Sequence, residues 1–389
     1  MSFHFRGRIP ASKSQLIRAL LLQDELPSLT IIGDSQCDDV AAMRRGLQAL
    51  RQNKVADCGE AGLVLRLLLA RASRVSGQQV LTGSERLLER PLTPLVAALE
   101  QLGVRVTSDQ NQLRVLSQGW QKPSGPVRLD VSKSSQFLSA FILNSWNLPF
   151  DLDLELEGAS VSQGYADLSL EMAKQAGMHV EKTAKGYWIP QGQKPTATRF
   201  EMESDWSSAF AVAALAAVDG CAEIQGLNPR STQPDSRFVS ILSEMGVSVK
   251  WEADLLKVER GLLQPIQISL QECPDLFPVL AVLCAFAKGR SILRGAPHLR
   301  SKESDRITKV GELLTSLGRS IQIRDDGLEI EGLPLGDGGM PTIFNPEHDH
   351  RLVMAAEVAK RAGYPIRILD PQVVSKSFPE FLAISQSSG

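Results

Sequence analysis

Positively charged side chains stand at the start of segments that read as apolar helices. Lys13 and Arg18 open the first such segment, and Arg351 opens the last, directly after Asp349 and His350. The N-terminal end of a helix already attracts anions through its free backbone N–H groups and its macrodipole. A lysine or arginine at that end opposes the dipole and costs stability unless an anion compensates it. The pattern therefore predicts sites for phosphate and carboxylate groups.

Two further charged segments follow glycine turns. One is the run from Lys302 to Arg306, which contains Glu303, and the other is Leu88-Glu89-Arg90-Pro91. Taken alone, Glu303 and Arg306 would form a solvated pair worth ~0.2–0.5 kcal/mol, and Pro91 would mark the start of a helix. Because both segments occupy the same place in a repeated unit, we interpret them as facing one site.

Serine and aspartate residues also precede several of the apolar segments. Their side chains accept hydrogen bonds from free backbone N–H groups, so they are ordinary N-cap residues. For Asp205-Trp206-Ser207-Ser208 we take this structural role as the default interpretation.

The elements that must position these residues recur six times along the chain. Each copy has an apolar helix, a short strand ending at a turn residue, an amphipathic helix and a last strand. Turns such as Leu102-Gly103 and Met245-Gly246 close the amphipathic helices, since glycine readily adopts the left-handed conformation required there. The apolar helices are predicted at Gln15–Leu22, Ala61–Ala70, Gln136–Leu143, Ser207–Ala217, Leu276–Ala287 and Leu352–Ala359.

These six helices are apolar on most of their surface, so they belong inside a domain. Two sets of three would form two buried cores, covered by small sheets and by amphipathic helices such as Pro91–Leu102 and Asp305–Leu317. The sequence therefore predicts an α/β (α+β) fold of two similar domains. The boundary falls near residues 201–204, where no low-complexity linker occurs.

The bulk composition excludes several classes of protein. The 389 residues carry a formal net charge of -2 without a concentrated basic stretch, which argues against a nucleic-acid partner. The cysteines form no C-x-x-C pair and the histidines show no metal-ligand spacing, so we expect neither disulfides nor a metal. No apolar run approaches the ~18 residues of a membrane-spanning helix. We expect a cytoplasmic protein that has no membrane partner.

The motifs, taken in order, resemble those of the 5-enolpyruvylshikimate-3-phosphate (EPSP) synthase family, the 3-phosphoshikimate 1-carboxyvinyltransferases. The resemblance covers nearly the whole chain, with a motif in every repeat except the fourth. The motifs are Ser12-Lys13-Ser14 with Arg18, Gly59-x-x-Gly62-x-x-x-Arg66, Glu89-Arg90-Pro91, Ser134-Ser135-Gln136-Phe137, Ser162-x-x-Tyr165, Lys302-Glu303-Ser304-Asp305-Arg306, Asp349-His350-Arg351 and Lys376-Ser377-Phe378-Pro379.

The resemblance implies two domains, each of three βαβαββ-like units with buried helices and small outer sheets, in an inside-out α/β barrel. Residues 12–203 would form the N-terminal domain, on the shikimate 3-phosphate side. Residues 1–11 would cross back to join residues 204–389 in the C-terminal domain, on the phosphoenolpyruvate side. The active site would lie in the cleft between the domains.

The resemblance also implies an activity and its residues. The family transfers the enolpyruvyl (1-carboxyvinyl) group of phosphoenolpyruvate to shikimate 3-phosphate by addition and elimination through a tetrahedral intermediate, in chorismate and aromatic amino acid biosynthesis. We expect a monomer that needs no cofactor and has only these two small molecules as partners.

The catalytic residues would be Asp275, Glu303, Lys13 and Lys376. The shikimate 3-phosphate ligands would be Ser14, Arg18, Ser134, Ser135, Gln136, Ser162, Tyr165, Asp275 and Lys302. The phosphoenolpyruvate ligands would be Lys13, Gly62, Arg90, Gln136, Arg306, Arg351 and Lys376.

Some residues depart from the family pattern. Glu60 and His298 stand where relatives often carry Asn, and Leu63 stands where Thr is common.

A sister enzyme that acts on UDP-N-acetylglucosamine normally uses a cysteine in the stretch matching Gly83–Leu95, which contains none. A non-catalytic homologue is a further alternative, but the chain retains the family's acidic and basic residues. RNA-cyclase-type relatives would need a nucleotidyl-accepting histidine and a broader basic surface.

Overall fold

The computed structural model describes residues 2–109, 111–336 and 339–387. Contacts within the chain divide it into two compact units. Unit 1 contains the N-terminal residues as far as Ser12, the short stretch Ser35–Cys37 and the chain from Glu203 onward, whereas unit 2 contains Lys13–Asp34 and Asp38–Met202. The N-terminal segment therefore lies in unit 1, although the helix that follows it lies in unit 2.

Strands and helices alternate along the described residues and are numbered in chain order. The strands are β1 (Phe3–Arg8), β2 (Thr30–Ile32), β3 (Ala56–Asp57), β4 (Ser76–Thr82), β5 (Arg105–Asp109), β6 (Gln112–Gln118), β7 (Val127–Asp130), β8 (Leu152–Glu157), β9 (Glu181–Lys182), β10 (Gly186–Ile189), β11 (Arg199–Glu201), β12 (Gly220–Gln225), β13 (Ser248–Glu252), β14 (Leu255–Glu259), β15 (Gln267–Ser269), β16 (Gly289–Arg294), β17 (Ser320–Arg324), β18 (Gly327–Gly332), β19 (Thr342–Phe344) and β20 (Ile366–Ile368). The α-helices are α1 (Lys13–Glu25), α2 (Asp38–Arg51), α3 (Gly62–Ser73), α4 (Glu85–Glu89), α5 (Thr93–Glu100), α6 (Gln136–Leu143), α7 (Gln163–Gln175), α8 (Trp206–Val218), α9 (Phe238–Glu244), α10 (Phe277–Ala285), α11 (Arg306–Ser316), α12 (His350–Arg361) and α13 (Phe381–Gln386). Short 3-10 turns span Pro234–Arg237, Pro274–Leu276, Pro297–Ser301 and Pro371–Lys376.

Sheets of one design recur in both units. Their strand orders are β3-β4-β6-β5 and β7-β8-β10-β9 in unit 2, and β1-β12-β14-β13 and β15-β16-β18-β17 in unit 1. The first two strands of each sheet are parallel and the later pairs are antiparallel, as in β3 with β4 and β4 with β6. A parallel pair needs a crossover connection. An apolar helix supplies it between β3 and β4, between β7 and β8, and between β15 and β16. Two-stranded parallel sheets, β11-β2 and β19-β20, complete the set.

The N-terminal strand belongs to this pattern. β1 runs parallel to β12, with Phe3 opposite Gly220 and Arg8 opposite Gln225. The strands approach so closely that a Cβ on Gly220 would lie 2.0 Å from the carbonyl oxygen of Phe3. Gly220 also adopts a φ of +113°, which favours glycine.

The apolar helices form the core of each unit. In unit 1, α8, α10 and α12 each contact the other two, and in unit 2, α1, α3 and α6 do the same. Nearly every residue of α8 and every residue of α10 is buried. Helices that are hydrophobic all round cannot lie at a solvated surface. The predicted α/β class, with buried helices and small outer sheets, is confirmed.

The predicted helix ends are also found. Gly246 follows α9 with a φ of +80°, and Gly318 follows α11 with a φ of +72°. In this conformation the helix stops and the next strand begins within two residues. Among the described residues, no helix combines the length and apolar character needed to span a bilayer.

Candidate active site

A buried guanidinium lies at the centre of the charged residues of unit 1. Arg306 is the first residue of α11 and is 1% exposed. Its Nε donates to Asp349 Oδ2 at 2.8 Å, Nη1 to Asp275 Oδ1 at 2.8 Å and Nη2 to Glu303 Oε2 at 3.0 Å. Burial by itself lowers the pKa of Arg306, but the three carboxylates raise it well above its ordinary value. The guanidinium therefore stays charged and holds three carboxylates in place.

Two helix caps explain how the local sequence positions this residue. Asp305 Oδ1 accepts a hydrogen bond from the backbone N–H of Thr308 at 3.1 Å, so α11 begins at Arg306. Asp349 Oδ1 accepts from the backbone N–H of Arg351 at 2.9 Å, which begins α12. Because Asp349 is 0% exposed and also binds Arg306, one carboxylate both caps a helix and compensates a buried cation.

Further cations surround the two carboxylates predicted to be catalytic. Lys302 Nζ lies 4.0 Å and Arg351 Nη2 lies 3.7 Å from the Asp275 carboxylate, and Lys376 Nζ lies 3.5 Å from Glu303 Oε1. Burial raises the pKa of Asp275, but the charges of Lys302, Arg306 and Arg351 outweigh it and hold this pKa well below its usual range. The residues predicted in unit 1 thus lie together. We call them the unit 1 cluster, which consists of Asp275, Lys302, Glu303, Arg306, Arg351 and Lys376.

His298 lies beside this cluster in the 3-10 turn Pro297–Ser301. Burial, followed by the charge of Lys302, lowers its pKa to about 3, although Asp275 acts in the opposite direction. The imidazole is therefore neutral at physiological pH. A neutral imidazole offers one hydrogen-bond donor and one acceptor.

Asp235 was not predicted from the sequence. It lies in the 3-10 turn Pro234–Arg237, is 2% exposed and accepts a hydrogen bond from Ser207 Oγ through Oδ2. Burial and the charge of Asp275 raise its pKa to about 7, against the charge of Arg351 and the bond from Ser207. One signal was available in the sequence. In each repeat a glycine turn ends a strand, and Asp235 follows the glycine at 226 in the same way as the charged run that begins at Lys302 follows the glycine at 295.

The cap predicted at Asp205 is confirmed. Its Oδ1 accepts a hydrogen bond from the backbone N–H of Ser208 at 2.8 Å, and α8 begins at Trp206. Ser207 is in the first turn of the same helix, and its hydroxyl bonds to Asp235. The segment interpreted only as a cap therefore also holds a buried carboxyl group.

In unit 2, Arg18 connects three helices. It is 1% exposed, and its Nε donates to Ser169 Oγ at 2.7 Å, Nη1 to the carbonyl of Ser14 at 2.7 Å and Nη2 to the carbonyl of Tyr165 at 3.0 Å. Ser169 Oγ also bonds to Ser139 Oγ in α6 at 2.8 Å. Burial lowers the pKa of Arg18 to about 10, so it remains charged at neutral pH. Arg18 thus bonds to the main-chain carbonyls of Ser14 and Tyr165, two other residues predicted to bind the same substrate.

A second basic group in unit 2 surrounds Gly62, the first residue of α3. A Cβ at this position would lie 2.6 Å from Arg90 Nη1 and 2.7 Å from Arg66 Nη1. Arg66 donates to the Gly62 carbonyl at 2.9 Å and lies 5.5 Å from the centre of the Phe137 ring. Arg90 and Arg66 are 7% and 2% exposed. A side chain at position 62 would displace both guanidinium groups from their present positions.

The serines and the glutamine predicted as ligands stand at helix starts. Ser134 Oγ accepts from the backbone N–H of Gln136 at 3.2 Å, and Ser135 directly precedes α6. Within the described residues, Gln136 Oε1 is buried and has no hydrogen-bond partner. Ser162 directly precedes α7 with a φ of +52° and is 5% exposed. Left-handed non-glycine residues occur often at functional sites.

Lys13 has a partner that the sequence analysis did not identify. Its Nζ lies 2.9 Å from Asp39 Oδ2, and Asp39, in the first turn of α2, is 7% exposed. The acidic start of α2, Asp38-Asp39, was visible in the sequence. The pairing of Asp39 with Lys13, which lies 26 residues earlier, could not be seen in the sequence.

These arrangements suit acid–base chemistry on anionic molecules. In unit 1, the carboxyl groups of Asp275 and Glu303 lie among cations, and anions that pair with those cations would raise the pKa of Asp275. In unit 2, arginine, serine and backbone N–H groups at helix starts suit phosphate and carboxylate ligands. Among residues 2–109, 111–336 and 339–387, no group of three or more His, Cys, Asp or Glu side chains could hold a metal ion.

Comparison with known sequences identifies relatives. The family model for EPSP synthase (3-phosphoshikimate 1-carboxyvinyltransferase) matches residues 19–384. The chain is 38% identical over 331 residues to a 3-phosphoshikimate 1-carboxyvinyltransferase of Syntrophobacter fumaroxidans, covering 83% of this chain and 77% of that one. It is 33% identical over 385 residues to the enzyme of the same name from Methanocorpusculum labreanum, covering 97% and 90% of the two chains.

Solved structures show the same fold. An EPSP synthase from Acinetobacter baumannii superimposes with a TM-score of 0.76 at 21% identity, covering 100% of this chain and 96% of the other. The enolpyruvyl transferase NikO from Streptomyces tendae does so with a TM-score of 0.71 at 15% identity, covering 99% and 94%. From the family model and the sequence relatives, the chain belongs to the EPSP synthase (3-phosphoshikimate 1-carboxyvinyltransferase) family of enzymes.

Proposed function

We propose that the protein transfers the enolpyruvyl group of phosphoenolpyruvate to the 5-hydroxyl of shikimate 3-phosphate and releases inorganic phosphate. Membership of the family supports this reaction. The observation that carries it at the level of residues is the unit 1 cluster. There, Asp275 and Glu303 bind two nitrogens of Arg306 and lie beside further cations.

The reaction has two halves. In the first, the 5-hydroxyl oxygen attacks C2 of phosphoenolpyruvate and loses its proton, while the methylene carbon C3 gains one, which gives a tetrahedral intermediate. In the second, C3 loses a proton, the bond between C2 and the phosphate oxygen breaks, and phosphate leaves. We assign these proton exchanges to Asp275, Glu303, Lys13 and Lys376.

The charges of the unit 1 cluster suit this task. Cations keep the pKa of Asp275 low, so its carboxylate is ionised. When anionic substrates pair with those cations, the compensation weakens and the carboxylate pKa rises toward the range useful for proton transfer. Lysine and arginine side chains also stabilise the negative charge of the departing phosphate.

We propose the ligands of both substrates as follows. Shikimate 3-phosphate would bind Ser14, Arg18, Ser134, Ser135, Gln136, Ser162, Tyr165, Asp275 and Lys302. Phosphoenolpyruvate would bind Lys13, Gly62, Arg90, Gln136, Arg306, Arg351 and Lys376. Two observations support these assignments: the contact of Arg18 with Ser14 and Tyr165, and the buried Oε1 of Gln136.

Phosphate release tests the proposal. Purified protein incubated with both substrates should liberate inorganic phosphate, and omission of shikimate 3-phosphate should abolish the release. UDP-N-acetylglucosamine in place of shikimate 3-phosphate should give none. Phosphate release with phosphoenolpyruvate and UDP-N-acetylglucosamine, but not with phosphoenolpyruvate and shikimate 3-phosphate, would identify the sister activity. Binding of both substrates without release would identify a non-catalytic homologue.

We also propose that the enzyme is a cytoplasmic monomer with no nucleic-acid or membrane partner and no cofactor. The cysteine pattern, which contains no C-x-x-C pair, fits a reducing compartment. Light scattering should give the mass of one chain, and activity should survive EDTA. A dimer mass, or loss of activity that Mg²⁺ restores, would contradict this proposal.

A further inference from the structure

Unit 2 contains a cavity of about 440 Å³, and none of the described residues that line it has a role in the proposed reaction. Its wall comes from three places in the chain: Arg74 directly after α3, residues 118–122 at the end of β6, and residues 148–150 before β8. This volume lies within the ~300–1,000 Å³ of pockets that bind small molecules. Two of the described lining residues, Arg74 and Lys122, are cations, and none is acidic. The cavity therefore favours a small anionic ligand.

Hydrogen bonds and ring contacts hold the lining residue Trp120 in place. Its Nε1 donates to Ser73 Oγ at 2.7 Å, and Ser73, the last residue of α3, is 0% exposed. The centre of the Trp120 ring lies 5.3 Å from that of Phe141. Cζ of Arg74 lies 5.1 Å from the centre of the Trp120 ring. The guanidinium thus packs on an aromatic side chain whose own position is fixed.

Arg74 uses only part of its hydrogen-bonding capacity. Nη2 donates to the carbonyl of Trp146 at 2.8 Å, whereas Nε and Nη1 are buried and have no partner within the described part of the chain. Burial lowers the pKa of Arg74 to about 10, and the charge of Glu25, which is itself paired with Arg71, acts in the opposite direction. The guanidinium is therefore charged at neutral pH. Because buried donors without acceptors are unfavourable, an acid group that draws the guanidinium into the cavity would supply what they lack.

A purely structural role for Arg74 would explain less. Arg74 follows the last turn of α3, where a cation interacts favourably with the helix dipole. A lysine would serve that purpose equally well, and neither the cavity nor the two unused donors would follow from it. Lys122 is exposed and brings a second positive charge to the same cavity from a separate element.

We propose that this cavity binds a small dicarboxylate, one carboxylate of which pairs with Arg74 and the other with Lys122. A guanidinium matches the planar shape of a carboxylate and offers it several donors at once. The two cations come from different elements, so they suit an anion with two separated charges better than a single phosphate group. The inference does not depend on the proposed function, because neither residue takes part in that reaction.

The indole N–H of Trp120 reports on this cavity, since Arg74 packs on the same ring. Isotopically labelled protein is titrated with succinate and followed by amide NMR, and the Trp120 resonance is identified as the one that Trp120→Phe lacks. We expect a saturable shift of this resonance, with a dissociation constant of about 1 mM or below. Arg74→Lys keeps a positive charge after α3 but loses the planar fork, so it should weaken binding by about tenfold or more. Lys122→Ala should weaken it by about two- to fivefold, since an exposed ion pair contributes less.

Lys182→Ala, which removes a cation from β9 of the same unit, is the control and should bind succinate as the wild type does. Circular dichroism shows whether Arg74→Lys folds. If it does not, Lys122→Ala still tests the inference, because Lys122 is exposed.

Three results would overturn the proposal. One is a Trp120 resonance that about 10 mM succinate does not move. Another is an affinity for succinate that neither Arg74→Lys nor Lys122→Ala changes. The third is inorganic phosphate that moves the resonance as strongly as succinate does at the same concentration, which would contradict the assignment to a dicarboxylate.

Discussion

Asp275 and Glu303 are held by two different nitrogens of one guanidinium, since Arg306 donates to Asp275 through Nη1 at 2.8 Å and to Glu303 through Nη2 at 3.0 Å. Arg306 is itself fixed by Asp349, which caps α12. Both proposed acid–base groups therefore have defined positions before any substrate binds. Such preorganisation lowers the cost of reaching the transition state.

Replacing Glu303 by Gln should lower turnover by about 10²–10⁴-fold, because the amide cannot exchange a proton but retains the shape and can still accept from Arg306. The dissociation constant of shikimate 3-phosphate should change little. Steady-state kinetics and calorimetry measure both quantities. Glu312→Gln, an exposed change in α11, serves as the control. Normal turnover in Glu303→Gln would remove its catalytic role.

Asp349→Ala should be strongly destabilising, by about 3–5 kcal/mol, because it leaves the buried Arg306 without a main partner and removes the cap of α12. Urea denaturation measures the loss. Asp305→Ala removes the cap of α11, a bond from the Thr308 hydroxyl and a more exposed ion pair, so it should cost about 1 kcal/mol. Equal losses for the two variants would show that the contact between Asp349 and Arg306 contributes little.

Gly62→Ala should weaken phosphoenolpyruvate binding while leaving shikimate 3-phosphate binding intact. The added methyl group would meet Arg90 and Arg66 at 2.6–2.7 Å and displace both guanidinium groups. Displacement of the two guanidinium groups should raise the KM for phosphoenolpyruvate by about tenfold, which corresponds to about 1.4 kcal/mol of binding free energy. Gly125→Ala is the control, because no atom lies within 4 Å of its Cβ position. An unchanged KM for phosphoenolpyruvate in Gly62→Ala would argue against a role for this basic group.

Asp235 should make the protein less stable as the pH rises from about 4 to 7. Its pKa is raised to about 7 in the folded state by burial and by Asp275, so the folded protein binds more protons than the unfolded chain over this interval. Asp235→Asn removes this dependence. The free energy of unfolding of the variant, relative to that of the wild type, should therefore be higher at pH 8 than at pH 5. Urea denaturation at the two values measures the difference. Asp254→Asn, which changes an exposed residue in the β13–β14 turn, should follow the wild type, and parallel curves for Asp235→Asn would contradict the prediction.

The sequence by itself determined the architecture of the repeats. Helices such as α8 and α10 are apolar around their whole circumference, and Gly246 and Gly318 mark the ends of the helices that cover the core. These are local signals, since the period of a helix and the backbone freedom of glycine act within a few residues. The cap at Asp205 could be predicted for the same reason, because it bonds to a backbone N–H only three residues away.

Tertiary structure alone decided which carboxylate compensates which cation. In the sequence, Arg306 has a neighbour in Glu303, and the pair could equally have been a solvated surface contact. Folding buries it against Asp275 and Asp349, which are 31 and 43 residues away along the chain. The partners of Lys13 and the buried position of Asp235 are equally non-local. The pKa of each group depends on charges brought close by the packing of separate helices, and no pattern along the chain encodes those distances.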